Sequence, residues 1–143
     1  GVDNLLVHLA KCCNPVPGDD IVGYITRGRG VTIHRNDCKN VHQEDRENGR
    51  IIDVSWEDVH KNNQTYNADI EVFGFNRGGL LNDIMQVLNA QVTQIISING
   101  KVDNNNMVHI FSTIAVTNAQ HLEDILSRIR DVPNVYEVKR SDS

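Results

Sequence analysis

Four residues stand out for the chemistry they could do together. Cys12 and Cys13 are adjacent, and His34 and Cys38 come later, four apart. Two thiols, an imidazole and a third thiol make a donor set that suits tetrahedral zinc. The vicinal pair is the difficulty. Adjacent side chains diverge in extended backbone, so both sulfurs reach one ion only where the chain bends. Asn14-Pro15 offers such a bend. Two other readings of the same residues stay open. The cysteines also suit buried small hydrophobes, with His34 an ordinary strand end. Cys12 or Cys13 with His34 would further make a nucleophile–base pair, although nothing nearby resembles an oxyanion site. The chain holds three cysteines, an odd number, all within its first 38 residues. That argues against a disulfide scaffold and for a metal site or plain thiols.

A second set is cationic. The formal charge is −5 over 143 residues, and it is unevenly spread. Residues 1–50 balance seven basic groups against seven acidic ones, while residues 51–143 hold seven against twelve. Lys11, Arg27, Arg29, Arg35 and Lys39 lie around the cysteines and His34. A local positive face on the first half is the expectation, with Arg27-Gly28-Arg29 at a hairpin tip as its centre. Arginine forks suit phosphate, so this face is a candidate RNA contact. A solvated hairpin tip is the bland alternative. The acidic second half is unsuited to phosphate.

Several short elements must position these residues. Leu5, Leu6 and Leu9 suit a short helical turn running into the cysteines. Ile21–Thr26 and Gly30–His34 are β-rich runs, with Arg27-Gly28-Arg29 between them as the hairpin signature. Asp37 can cap a short helix over 38–47, which Asn48-Gly49 stops. Ile51–Trp56 reads as a third strand. This stretch has little apolar matter for a core, and units of that size often need a staple. Residues 58–65 are polar and read as a linker, dividing a first domain, 1–57, from a second, 66–143.

The second domain has clearer periodicity. Tyr66–Phe73 alternates as a half-buried strand. Asn76-Arg77-Gly78-Gly79 breaks it, and Leu80, Leu81, Ile84, Met85 and Leu88 then form a helical stripe. Residues 92–101 are rich in β-branched side chains, and Asp103-Asn104-Asn105-Asn106 is a turn. Val108, Ile110, Ile114 and Val116 alternate again. Thr117 or Asn118 can cap a helix striped by Leu122, Ile125, Leu126 and Ile129, with Asp124 and Arg128 paired on its surface. Val135–Arg140 closes the order βαββαβ. Two helices then cover one face of a four-stranded antiparallel sheet, leaving Phe111, Thr113 and Ala115 on the other. The fold class is α+β: a small α/β zinc-finger-like module, then a ferredoxin-like βαββαβ domain.

Hydrophobic residues make up 39% and charged residues 23%, an ordinary globular mix. No apolar run is long enough to span a membrane. Gly1-Val2-Asp3 has neither the basic nor the apolar part of a signal peptide, and there is no initiating Met. The chain reads as a fragment of a longer protein.

Three segments carry a resemblance. Cys12-Cys13-Asn14-Pro15-Val16-Pro17-Gly18-Asp19, Gly28-Arg29-Gly30 and His34-Arg35-Asn36-Asp37-Cys38 closely resemble the zinc-finger or intersubdomain module of long RelA/SpoT homologues. Those are the bacterial stringent-response enzymes that make and hydrolyse (p)ppGpp. In that family an ACT domain comes next, in the same βαββαβ order, so the resemblance runs from Leu5 to Arg140. It implies that this chain is a regulatory, non-catalytic part of a cytoplasmic parent. The parent would be a GTP pyrophosphokinase and (p)ppGpp 3'-pyrophosphohydrolase whose catalytic domains lie upstream. It implies contact with the ribosome and tRNA through the parent, docking to the upstream domains, and retained ligand positions at Cys12, Cys13, His34 and Cys38 for zinc.

The resemblance also implies a second site. Many ACT domains bind amino acids at the first strand-to-helix loop, often across a dimer seam. Here that loop is Asn76-Arg77-Gly78-Gly79-Leu80-Leu81, where the glycines let a carboxylate approach and the helix N-terminus favours anions. Asn76 stands where Asp is commoner, so it can accept from a ligand ammonium without adding charge. Ile96, Ser97 and Asn99 from a second copy would complete the pocket. The apolar Ile96 and Ile98 favour a branched-chain amino acid as effector. A plain glycine turn is the alternative for the loop. For the whole chain, the alternative is the amino-acid-sensing region of another metabolic enzyme.

Overall fold

The computed structural model describes residues 6–26, 28, 30–59, 64–92 and 94–141. The chain divides into two compact units, 1–64 with 142–143, and Thr65–Ser141.

The first unit is a mixed four-stranded sheet in the order β1-β3-β2-β4. Strand β1, Leu6–Leu9, runs parallel to β3, Gly30–Arg35. Strand β2, Ile21–Thr26, pairs antiparallel with β3 and with β4, Ile51–Asp53. Two short helices complete it, α1 at Gln43–Glu47 and α2 at Trp56–Val59. The small core centres on Val31 and Ile33, with Val7, Leu9, Ile21, Ile52, Val54 and Val59 packed against it.

Three expectations for this unit need correction. Leu6–Leu9 is a strand, not a helical turn, because alternation places Val7 and Leu9 on the Val31–Ile33 core. No helix spans 38–47. Only Gln43–Glu47 is helical, and Asp37 caps nothing; its carboxylate accepts from Arg35 at 2.7 Å. The strand after Gly49 stops at Asp53, and Trp56 opens α2 instead. Ser55 and Asp58 form the cap there: the Ser55 N–H donates to the Asp58 carboxylate at 3.2 Å, and the Asp58 N–H to the Ser55 carbonyl at 3.0 Å. The Trp56 indole N–H is anchored on the Asp19 carbonyl at 3.0 Å.

The second unit has β5, Tyr66–Phe75; α3, Leu80–Gln91; β6, Ile95–Val102; β7, Met107–Val116; α4, Ala119–Arg130; and β8, Val135–Arg140. Its sheet order is β6-β7-β5-β8, antiparallel throughout. Of the expected α3 stripe Leu80, Ile84 and Leu88 are buried, while Leu81 is exposed and Met85 half-buried; the α4 stripe, Leu122, Ile125, Leu126 and Ile129, is buried throughout. The buried side chains pack over Ala68, Ile70, Val72, Ile110 and Ile114 of the sheet, all essentially inaccessible to water. Asn118 is the α4 cap, its side-chain oxygen accepting from the His121 N–H at 2.8 Å. On that helix Asp124 accepts from Gln120 rather than from Arg128. In the β6–β7 turn the Asp103 carboxylate accepts the Asn105 and Met107 N–H groups, and Asn106 takes the left-handed conformation. The pairing register puts Phe111, Thr113 and Ala115 on the face away from the helices.

Candidate functional site

The parallel pairing of β1 with β3 builds the first site. Both strands run toward one end of the sheet, so the segments that leave them meet there. The ladder continues past Leu9 through the Ala10 N–H, which donates to the Ile33 carbonyl at 2.9 Å. The chain then curls: Asn14 adopts φ 43°, and its N–H closes on the Ala10 carbonyl at 2.9 Å. This turn resolves the vicinal problem, since it aims both sulfurs inward, 4.0 Å apart. From β3, His34 presents Nδ1 at 3.5 Å from Cys12 Sγ and 3.9 Å from Cys13 Sγ. Cys38 turns back toward the strand through its N–H on the Arg35 carbonyl, and brings its Sγ to 3.5 Å from Cys12.

All four donor atoms lie within 4.8 Å of one another. A tetrahedral zinc ion with Zn–S about 2.3 Å and Zn–N about 2.1 Å holds its donors roughly 3.6–3.8 Å apart. The observed separations bracket that spacing, so these residues fit the metal. Two sulfurs also carry the outer hydrogen bonds usual around metal thiolates. The Arg35 N–H donates to Cys13 at 3.3 Å, and the Asn40 N–H to Cys38 at 3.5 Å. Bound there, the ion would act as a closed structural staple.

The electrostatics separate the two adjacent thiols. Burial pushes Cys13 up to about 12, only partly opposed by the Arg35 N–H. At Cys12 burial also works against the thiolate, but hydrogen bonds from Asn40, Cys38 and Cys13 outweigh it and leave the thiol below its ordinary value. Burial holds His34 down, in its neutral, ligating form.

Of the predicted cationic residues, Lys11, Arg35 and Lys39 lie beside the cluster. Arg27 and Arg29 lie outside the described residues; Gly28 between them takes φ 85°. It stands at the opposite end of the β2–β3 hairpin from Arg35. Lys11 and Lys39 are exposed beside the cluster. Lys39 lines a cleft of about 360 Å³ with Cys12, Cys13, Cys38, Arg35 and Asp37. Arg35 is committed to Asp37, and only 16% of its side chain is exposed.

In the second unit a recess of about 460 Å³ opens beside the β5–α3 loop. Asn76, Gly79, Leu80 and Leu81 line it, as the loop's composition implies. Its other walls are Arg77, Asn82 and Met85, with Gly100, Lys101 and Val102 of β6 and Val108 and Ile110 of β7. Gly78, Ile96, Ser97 and Asn99 are not among its lining residues. The topology gives the reason. Strands β5 and β6 run in the same direction, so within one chain the loop after β5 meets the end of β6, not its beginning. That signal was available in the βαββαβ order.

The loop itself is tied on both sides. The Asn76 N–H donates to the Asn106 carbonyl at 2.9 Å, and its amide NH2 to Asn106 Oδ1 at 3.2 Å. This leaves Asn76 Oδ1 to accept. The Arg77 guanidinium donates to the Asp83 carboxylate at 2.8 Å and to the Pro133 carbonyl at 3.1 and 3.3 Å. Gly79 has φ 81° as α3 begins, a conformation that favours glycine.

A four-donor cluster in the first unit and a ligand-sized recess in the second are the two candidate sites. Comparison with known proteins identifies the domains that carry them. Residues 1–57 match the RelA/SpoT RIS domain, and residues 62–140 match the ACT domain. The chain is 37% identical over 143 residues to a GTP pyrophosphokinase of Streptomyces coelicolor, covering 100% of this chain and 17% of that protein. It is 34% identical over 142 residues to a GTP pyrophosphokinase of Escherichia coli, covering 98% and 19%. The second unit shares its fold with the ACT domain from the GTP pyrophosphokinase of Chlorobium tepidum, at a TM-score of 0.50 and 24% identity over 55% of this chain and all of that one. The chain belongs to the RelA/SpoT family and carries its C-terminal RIS and ACT domains. It spans less than a fifth of the length of the relatives it matches. The two matched domains account for nearly all of it, and neither is catalytic. No helix among the described residues is long and apolar enough to cross a membrane.

Proposed function

We propose that this chain regulates (p)ppGpp synthesis and hydrolysis by catalytic domains of a longer parent protein in the bacterial cytoplasm. The first unit, stapled by zinc at Cys12, Cys13, His34 and Cys38, contacts ribosomal RNA and tRNA through Arg27, Arg29, Lys11, Arg35 and Lys39. The second unit docks to the rest of the parent and to another copy of itself. The observation that carries this reading is the succession of a RIS domain over residues 1–57 and an ACT domain over residues 62–140. Its test is a parent protein with and without these 143 residues, assayed for (p)ppGpp synthesis with ribosomes and uncharged tRNA. Loss of the stimulated rate with the basal rate retained is expected; an undiminished response would refute the reading.

The recess beside Asn76 supports amino-acid sensing by the second unit. Its volume falls within the roughly 300–1,000 Å³ usual for small-ligand sites. Leu80, Leu81, Met85, Val102, Val108 and Ile110 give it a mostly apolar wall, which suits a branched-chain side chain. Asn76 Oδ1 would receive the ligand ammonium. Strand β6 is a sheet edge with Ile96 and Val102 exposed, so a second copy could pair there and add Ile96, Ser97 and Asn99. Binding across that seam would couple amino-acid level to dimerisation.

A further inference from the structure

The arrangement of the three thiols has a second chemical consequence. Cys12 and Cys38, 26 positions apart, hold their sulfurs 3.5 Å from each other. The adjacent pair, Cys12 and Cys13, is wider, at 4.0 Å. A disulfide between neighbouring residues would also have to close a strained eight-membered ring. Cys13 and Cys38 are alike in burial, at 8% and 9% exposed. Each sulfur accepts one backbone N–H, from Arg35 and from Asn40, so the shorter separation and the ring strain decide between them. Cys12 is the most accessible of the three, and it faces the cleft of about 360 Å³ that Lys39 and Asp37 border. A small oxidant therefore reaches Cys12, and Cys38 is the sulfur best placed to respond.

We propose that Cys12 and Cys38 form a reversible disulfide with hydrogen peroxide as oxidant, in competition with metal binding. In the first step the Cys12 thiolate attacks one peroxide oxygen. An S–O bond forms, the O–O bond breaks, and the departing hydroxide takes a proton to leave as water. Cys12 is then a sulfenic acid. In the second step the Cys38 sulfur attacks the Cys12 sulfur. The S–S bond forms, the S–O bond breaks, and hydroxide leaves as water with the Cys38 thiol proton. Two thiols and one peroxide become one disulfide and two waters.

The sulfurs must approach from 3.5 Å to a bonding distance of about 2.05 Å. The segment carrying Cys38 is a turn, not a strand or helix, and can supply that movement. The disulfide removes two of four donors and leaves Cys13 and His34, too few to hold the ion. Oxidation would thus eject the staple while cross-linking the same two segments, 10–14 and 35–38. Metal in place would hold both sulfurs as ligands and slow the first step.

The test is a peptide map of the 143-residue chain after treatment with one to two equivalents of hydrogen peroxide, metal-free and with equimolar zinc. In the metal-free chain, cleavage without reductant should yield one dominant cross-link joining the Cys12 and Cys38 peptides. Cys13 should remain open to alkylation, and dithiothreitol should reverse the cross-link. With zinc, the cross-link should form at least tenfold more slowly, releasing one zinc per disulfide to a chromogenic chelator. Cys13→Ser should retain the cross-link, while Cys12→Ser and Cys38→Ser should abolish it. The wild-type map decides even where a variant fails to fold. A Cys12–Cys13 cross-link, a bond between two chains, or sulfonic acid at Cys12 with no disulfide would overturn the proposal. Equal rates with and without zinc would overturn the competition.

Discussion

Cys12 Sγ and His34 Nδ1 meet at 3.5 Å across 22 positions of sequence. The parallel β1–β3 ladder makes this meeting: Leu9 pairs with Ile33, so the chain leaving the end of β1 curls beside His34, the next residue of β3. The cluster and the small core are therefore one structure. The strand that carries His34 also contributes Val31 and Ile33, both fully removed from water. Disturbing either part should disturb the other.

His34, Cys12 and Cys13 set the pH dependence of the metal-free first unit. His34 titrates lower folded than its unfolded value of about 6.5, so the unfolded chain takes up the proton first as pH falls. Its contribution to stability is full above about 6.5 and is lost as pH falls through the folded value. Cys13 is raised from 9.0 to about 12, so its contribution is full below about 9 and is lost as pH rises through about 12. Cys12, lowered from 9.0, ionises first in the folded chain, so its contribution is full above about 9 and is lost as pH falls through the folded value. Urea midpoints measured in EDTA should therefore fall below about 6.5 and again above about 9. His34→Gln should flatten the acid limb. A first unit that gains stability on acidification below 6.5 would contradict the assignment.

Core packing gives a prediction independent of any metal. A Cβ added at Gly23 would lie 2.8 Å from Val31, 2.9 Å from Val54 and 3.0 Å from Ile52. All three neighbours belong to the small core and have little freedom to retreat. Gly23→Ala should cost about 1–3 kcal/mol of first-unit stability by overpacking. Gly28→Ala, with open space around it but φ 85°, should cost less, about 1 kcal/mol, through backbone strain alone. Denaturant melts of the two variants should rank in that order.

The recess beside Asn76 yields a ligand test. Calorimetry with valine, leucine and isoleucine should give weak binding, because Asn76 offers a neutral acceptor. Asn76→Asp should tighten it by about 1 kcal/mol, roughly fivefold, since a charged acceptor strengthens the bond to an ammonium. Leu81→Lys, at a half-exposed position of the wall, should abolish it without unfolding α3. No heat at millimolar ligand with wild type and with Asn76→Asp, together with a monomeric mass, would leave the second unit as a docking domain only.

Charge reversal at Arg27 and Arg29 should weaken ribosome binding of the parent and reduce its salt dependence by about two ion equivalents. Reversal at Arg35 should act differently, by breaking its ion pair with Asp37 beside Cys38. Ribosome binding unchanged at several salt concentrations would exclude the hairpin tip as an RNA contact.

The two units differ in how far their sequences reveal them. In the second, the stripe Leu122, Ile125, Leu126 and Ile129 has only one helical reading, and neighbouring strands alternate cleanly, so pattern alone defined the topology. In the first, Leu6–Leu9 is too short for its periodicity to separate a helical turn from a strand. Only its parallel partner, more than twenty residues later, decides. The donor set at Cys12, Cys13, His34 and Cys38 was legible from residue type, but its convergence depends on the left-handed Asn14 and could not be read from spacing. For the recess, the loop was legible from its glycines. Its far wall was not, because Gly100 and Val102 become neighbours of Asn76 only through the common direction of β5 and β6.

The metal staple is the claim on which the first unit rests, and one measurement tests it most directly: elemental analysis of the purified chain, with amide hydrogen exchange before and after a strong chelator. One zinc per chain is expected. The chelator should remove it and lower protection in β1, β2 and β3 severalfold while leaving β5, β7 and α4 unchanged, because binding energy at such a site adds to folding energy. Well under one metal per chain, with those three strands still fully protected, would contradict the account.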